Sequence, residues 1–125
     1  PRHGVVLNVS EAHLEAFGSL DNVALEKGRL VECLPADGWA ILNADDPMVL
    51  RMSERTAARV MTIGFAPEAD VRAIEVASDE GGLSLLVAAD ERSVRVRCGL
   101  VGRHNAYPVL AATADIWVKK RRRET

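Results

Sequence analysis

Aromatic side chains are scarce: two Phe, two Trp and one Tyr in 125 residues. They are not interleaved with basic residues, which argues against a surface that stacks nucleic-acid bases. No apolar run approaches the roughly 20 residues that a membrane-spanning helix needs, and a secretory leader is not expected. Cysteine is limited to Cys33 and Cys98, which share no spacing motif and sit in apolar segments. Reduced core thiols in a cytoplasmic protein are therefore expected. Zinc-ligand spacing, a nucleophile elbow and a paired catalytic carboxylate motif are all missing. So is the Gly-x-x-x-x-Gly-Lys-Ser/Thr phosphate loop, which makes tight nucleotide binding by these residues alone unexpected.

What is present is 48% hydrophobic residues, enough for one modest core and no more than one domain. The net charge of −2 hides an asymmetry, because Lys-Lys-Arg-Arg-Arg at 119–123 holds five of the 16 basic residues. Residues 1–118 keep 11 basic against 17 acidic side chains, or −6. That body is a poor nucleic-acid surface, and 119–125 reads as a solvated, disordered basic tail.

In chain order, Gly4 to Val9 is a short apolar run, as expected of a parallel strand covered on both faces. A helix follows, entered through Ser19 or Asp21, with Leu20, Val23, Ala24, Lys27, Leu30, Val31 and Leu34 on one face. Lys27 is the one charged member of that stripe. An ammonium there must reach water, find an anion or lose its charge. It either snorkels to solvent or serves a site that needs an altered lysine. His13 falls beyond the carboxyl end of the first strand, where open α/β sheets collect ligands.

Trp39 to Leu42 is the next strand, and Asn43-Ala-Asp-Asp-Pro47 follows it. Asp45 or Asp46 either caps a helix running from about Met48 to Ala58 or approaches a nucleotide. Arg59 to Phe65 is a third strand, so the order β-α-β-α-β predicts a parallel sheet with crossover helices. Val71–Ser78, Leu83–Ala89 and Ser93–Leu100 then read as strands joined by short turns, a three-stranded antiparallel meander. A last helix begins at His104 or Asn105 and runs to about Val118, with Val109, Leu110, Thr113, Ile116 and Trp117 inward. Pro108 is tolerated because it falls in the first turn. Asn105 is either that helix's N-cap or a ligand contact.

Four segments taken together resemble the central ATP-binding domain of the Mur ligases. They are Asn8-Val-Ser-Glu-Ala-His-Leu-Glu-Ala-Phe-Gly-Ser-Leu20, Lys27-Gly28, Leu42-Asn-Ala-Asp-Asp46 and Gly102-Arg-His-Asn105. The wording around His13 is similar to the branch that adds D-alanyl-D-alanine to UDP-MurNAc-tripeptide. The resemblance covers about residues 1–114 and implies the second half of that α/β domain, in a cytoplasmic ATP-dependent amide ligase of peptidoglycan synthesis working through an acyl phosphate. It implies ATP and Mg²⁺ as cofactors, Lys27 as a carbamylated lysine, and His13 together with that carbamate as magnesium ligands. Asn105 matches a nucleotide contact, and Asn43 and Asp46 match a turn close to the nucleotide.

The departures from the family pattern also carry expectations. Pro108 stands where the family has a second asparagine, and Arg29 replaces the usual glutamate after Lys-Gly. The phosphate loop, the first strands and the flanking domains would precede or follow these residues. The chain is thus expected to be a fragment comprising a partial central domain at 1–118, inactive alone and prone to self-association through a bare sheet edge. The competing expectation is a non-catalytic relative that serves as an interaction module.

Overall fold

The computed structural model describes residues 2–7 and 27–124, with only the backbone of 121–124. Its strands are β1 (His3–Val6), β2 (Trp39–Asn43), β3 (Arg59–Gly64), β4 (Val71–Asp79), β5 (Gly82–Ala89) and β6 (Arg92–Cys98). They form one six-stranded mixed sheet in that order. The helices are α1 (27–32), α2 (Pro47–Leu50), which runs into a 3-10 turn at Arg51–Arg55, and α3 (Ala106–Glu124), preceded by a 3-10 turn at Arg103–Asn105. The fold is α/β, as the order of elements predicts. The chain separates into two compact units, Pro1–Met61 and Thr62–Thr125.

In the first unit β1 and β2 are parallel, with His3 opposite Trp39 and Val6 opposite Leu42. Every residue of β2 is buried, which matches its unbroken apolar run. Val31 and Leu34 pack with Val6, Ala40, Leu42, Val49, Met52 and Ala58 into one apolar cluster. Leu30 is 67% exposed, so the inward stripe of the first predicted helix is narrower than its spacing suggests. The predicted N-caps Ser19 and Asp21, and stripe positions 20–24, lie outside the described residues. The helix expected over 48–58 is a single α-turn followed by the 3-10 turn. At the other end of the strands, the Arg59 guanidinium lies 4.4 Å from the Trp39 ring centroid and donates to the Asp37 carbonyl at 3.2 Å.

In the second unit the meander exists and is continuous with the sheet. β3 and β4 are parallel over two residue pairs, while β4, β5 and β6 are antiparallel. The β3–β4 link is closed by a side-chain ring. Asp70 accepts from the Thr62 backbone N–H at 2.8 Å, and its own N–H donates to Thr62 Oγ1 at 2.9 Å. On β5, Leu83, Leu85, Val87 and Ala89 are buried, the alternation of a strand with one covered face.

α3 contacts β4 and β5, but through Ala106, Leu110, Ala111, Ala114 and Val118, and Ile116 is 63% exposed. Of the predicted stripe Leu110 is buried, Val109, Thr113 and Trp117 are half-buried, and Ile116 is outside. Three of the five buried positions are alanines, which leaves only Leu110 and Val118 as larger inward side chains. Helical backbone also continues through the basic run to Glu124, beyond the predicted end near Val118. Lysine and arginine are good helix formers, and Lys119 pairs with Asp115 one turn back at 2.9 Å.

Candidate functional site

The carboxyl ends of β1 and β2 are joined by one side chain. Asn43 is the buried polar residue of this region, 4% exposed. Its Nδ2 donates to the Leu7 carbonyl at 2.7 Å, and its Oδ1 accepts from the Asp45 N–H at 2.9 Å. A buried amide is stable only when both ends are paired, and here each end fixes a different backbone segment. One bond holds the exit of β1, where the segment carrying His13 begins. The other shapes the turn after β2.

Asp46 completes that turn. Its Oδ1 accepts from Met48 N–H at 3.0 Å and Val49 N–H at 3.3 Å, and Pro47 occupies the first helical position. Of the two aspartates considered as caps, Asp46 is the one that caps. Both predicted binding residues of this loop thus have structural duties, and the loop's shape at the strand ends depends on them.

Lys27 is half-buried at the start of α1 as described. Gly28 beside it is buried, and a Cβ built there would lie 1.9 Å from Arg55 Nη1. The Arg55 guanidinium reaches across this glycine to Glu32, with Nε and Nη2 at 2.8 and 2.7 Å from the same Oε1. The sequence offers no signal for this crossing, since the partners are 23 positions apart. His13, the predicted magnesium ligand, lies outside the described residues. Among the described residues no three His, Cys, Asp or Glu side chains cluster for a metal.

Asn105 belongs to the second unit. It sits inside the 3-10 turn whose N-cap is Gly102, and its Nδ2 donates to the Val101 carbonyl at 2.8 Å. An N-cap side chain accepts from helix amides, so the cap reading of Asn105 does not hold. Gly102 has φ 110, a conformation that favours glycine. Its N–H donates to Ser78 Oγ at 2.8 Å. Next to this turn, the Arg103 guanidinium lies 4.4 Å from the Phe65 ring centroid, and Phe65 meets Tyr107 edge-on at 5.4 Å. The site residues therefore fall into two groups: Lys27, Asn43 and Asp46 in the first unit, and Asn105 in the second.

Residues 1–115 match the Mur ligase middle domain. The chain belongs to that family. The UDP-N-acetylmuramoyl-tripeptide–D-alanyl-D-alanine ligase of Mycobacterium tuberculosis H37Rv is 40% identical over 115 residues, covering 91% of this chain and 22% of that enzyme. A sister Mur ligase, the UDP-N-acetylmuramate–L-alanine ligase of Rhodospirillum centenum, is 36% identical over 117 residues, covering 88% of this chain and 24% of that enzyme. Among solved structures, MurF from Acinetobacter baumannii superposes with a TM-score of 0.86 at 24% identity, over 96% of this chain and 26% of that one. MurF ligase from Thermotoga maritima in complex with ADP gives 0.81 at 20% identity, over 96% of this chain and 28% of that one. At these identities the structures establish the fold. The chain spans about a quarter of the length of the Mur ligases it matches.

Proposed function

We propose that this chain is the second half of the central nucleotide-binding domain of an ATP-dependent ligase of peptidoglycan synthesis, the one that joins D-alanyl-D-alanine to UDP-MurNAc-tripeptide. The observation that carries the reading is the 40% identity to such a ligase over 115 residues. On this reading the loop held by Asn43 and Asp46 forms one wall of the nucleotide site and Asn105 contacts the nucleotide. His13 and Lys27 would hold Mg²⁺, Lys27 as its carbamate. The carbamate forms when the neutral amine nitrogen bonds to the carbon of CO₂. One C–O π pair moves onto oxygen, a proton passes from nitrogen to solvent, and an anionic oxygen ligand results. Mg²⁺ favours oxygen donors, and when bound it would neutralise phosphate oxygens.

The 125 residues contain no phosphate loop, so the grip on the phosphates comes from outside them and the segment alone catalyses nothing. Pro108 favours a second reading, a non-catalytic family member, because a proline side chain has no group to pair with adenine. The deciding experiment uses the longest natural reading frame that contains this segment. Phosphate release from ATP should require both UDP-MurNAc-tripeptide and D-alanyl-D-alanine. Release with UDP-MurNAc and L-alanine instead would assign it to a sister ligase, and no release with any pair would favour the non-catalytic reading.

A further inference from the structure

Residues 27–34 carry the lysine on which the proposed chemistry depends, and one feature of their packing has no counterpart in that chemistry. Arg55 leaves the 3-10 turn after α2, passes over Gly28 and ends on Glu32. Glycine is a poor helix residue, up to about 1 kcal/mol worse than alanine in a helix interior, yet it stands buried in the first described turn of α1, one position after Lys27. Space explains it. Any larger residue would place its Cβ 1.9 Å from Arg55 Nη1 and 2.5 Å from Cζ, so the guanidinium, the far end of a flexible side chain, would have to shift from its present path to Glu32. The contact also has directional content. Nε and Nη2 converge on one carboxylate oxygen, a geometry that a lysine ammonium cannot reproduce. The pair is only partly exposed, at 31% for Arg55 and 45% for Glu32.

We propose that Arg55 is a positioning residue for Lys27: crossing Gly28 to Glu32, it locks the segment 27–32 against the 3-10 turn at Arg51–Arg55. This rests on the reading of Lys27 as the modified lysine, but the lock itself can be measured without it.

The test compares wild type, R55A, R55K, E32Q and a G28A/R55A cycle in the chain as it stands, by amide hydrogen exchange and urea unfolding. R55A should speed exchange in 27–34 about two- to fivefold, leaving the second unit unchanged. R55K should not restore protection. E32Q keeps the side-chain size and should mimic R55A, which covers the case in which R55A does not fold. In the wild-type background, G28A should leave the urea midpoint unchanged or lower. In the R55A background, with the obstruction gone, it should raise the midpoint. Unchanged exchange in both R55A and E32Q, or an equal rise from G28A in both backgrounds, overturns the proposal.

A parallel measurement of ¹³C-labelled carbamate on Lys27 in the longest natural reading frame that contains this segment, after equilibration with labelled bicarbonate, reads the lysine. If wild type carries the label, equal occupancy in R55A also overturns the positioning role, and reduced occupancy supports it. If wild type carries none, the chemical role given to Lys27 fails and the positioning role falls with it, whereas the exchange data still report on the lock alone.

Discussion

Replacing Asn43 by alanine should be among the most damaging small changes in the first unit. The substitution removes two hydrogen bonds, to the Leu7 carbonyl at 2.7 Å and from the Asp45 N–H at 2.9 Å, at a residue only 4% exposed. A typical bond contributes about 0.5–1.5 kcal/mol net, and a buried group left unpaired costs about 1–3 kcal/mol. Leu7 and Asp45 are half-buried, so water can repair part of the loss. The expected destabilisation is therefore about 2–3 kcal/mol. It should appear in urea unfolding as a lower midpoint with an unchanged slope. A change under about 0.5 kcal/mol, the low end for a single bond, would refute the assignment of Asn43 as the tie between the two strand ends.

Asn43→Asp sharpens the test because it changes the donor alone. Its carboxylate would face the Leu7 carbonyl oxygen, which repels the anion and accepts a bond from the protonated acid. The folded state would then bind the proton more tightly than the unfolded chain, so stability falls as pH rises. Near the unfolded aspartate value of about 4, the variant should approach wild type. Its deficit should grow toward neutral pH. A deficit independent of pH would show that the carboxyl does not face Leu7.

Two other substitutions test the local geometry. Asp46→Ala should cost about 1 kcal/mol by removing the N-cap of α2, and Asp46→Asn should recover most of it, both read by urea unfolding. Leu30→Lys should change stability by less than about 0.5 kcal/mol, since Leu30 is exposed, whereas Val31→Asp should cost more than about 3 kcal/mol. The opposite ranking would mean that α1 is rotated from the phase described.

The sequence carried the strands and their order more faithfully than the helix phases, and the reason is physical. Alternation of buried and half-buried positions is absent from β2 and present in β5. Each pattern follows from whether one or both faces of a strand are covered, which the period of two reports directly. A helix phase depends on which apolar residues the neighbouring surface has room for. In α3 the sheet takes Ala106, Ala111 and Ala114 and leaves Ile116 outside, a choice that hydropathy, which favours the larger side chain, reverses.

The candidate site was legible in a similarly uneven way. Asn43, Asp46, Lys27 and Asn105 stood out because family wording and position marked them. The contacts that hold their segments did not, since each joins residues distant in the chain: Arg55 to Glu32, Asn43 to Leu7, Ser78 to Gly102. Lys27-Gly28 shows the consequence most clearly. In the sequence the glycine is an ordinary neighbour of a notable lysine, and only the guanidinium above it gives the missing side chain a cause. A binding loop is defined by the groups facing its ligand, and it keeps its shape through groups facing away. The former leave a pattern in one stretch of sequence, whereas the latter become visible only when the chain has folded back on itself.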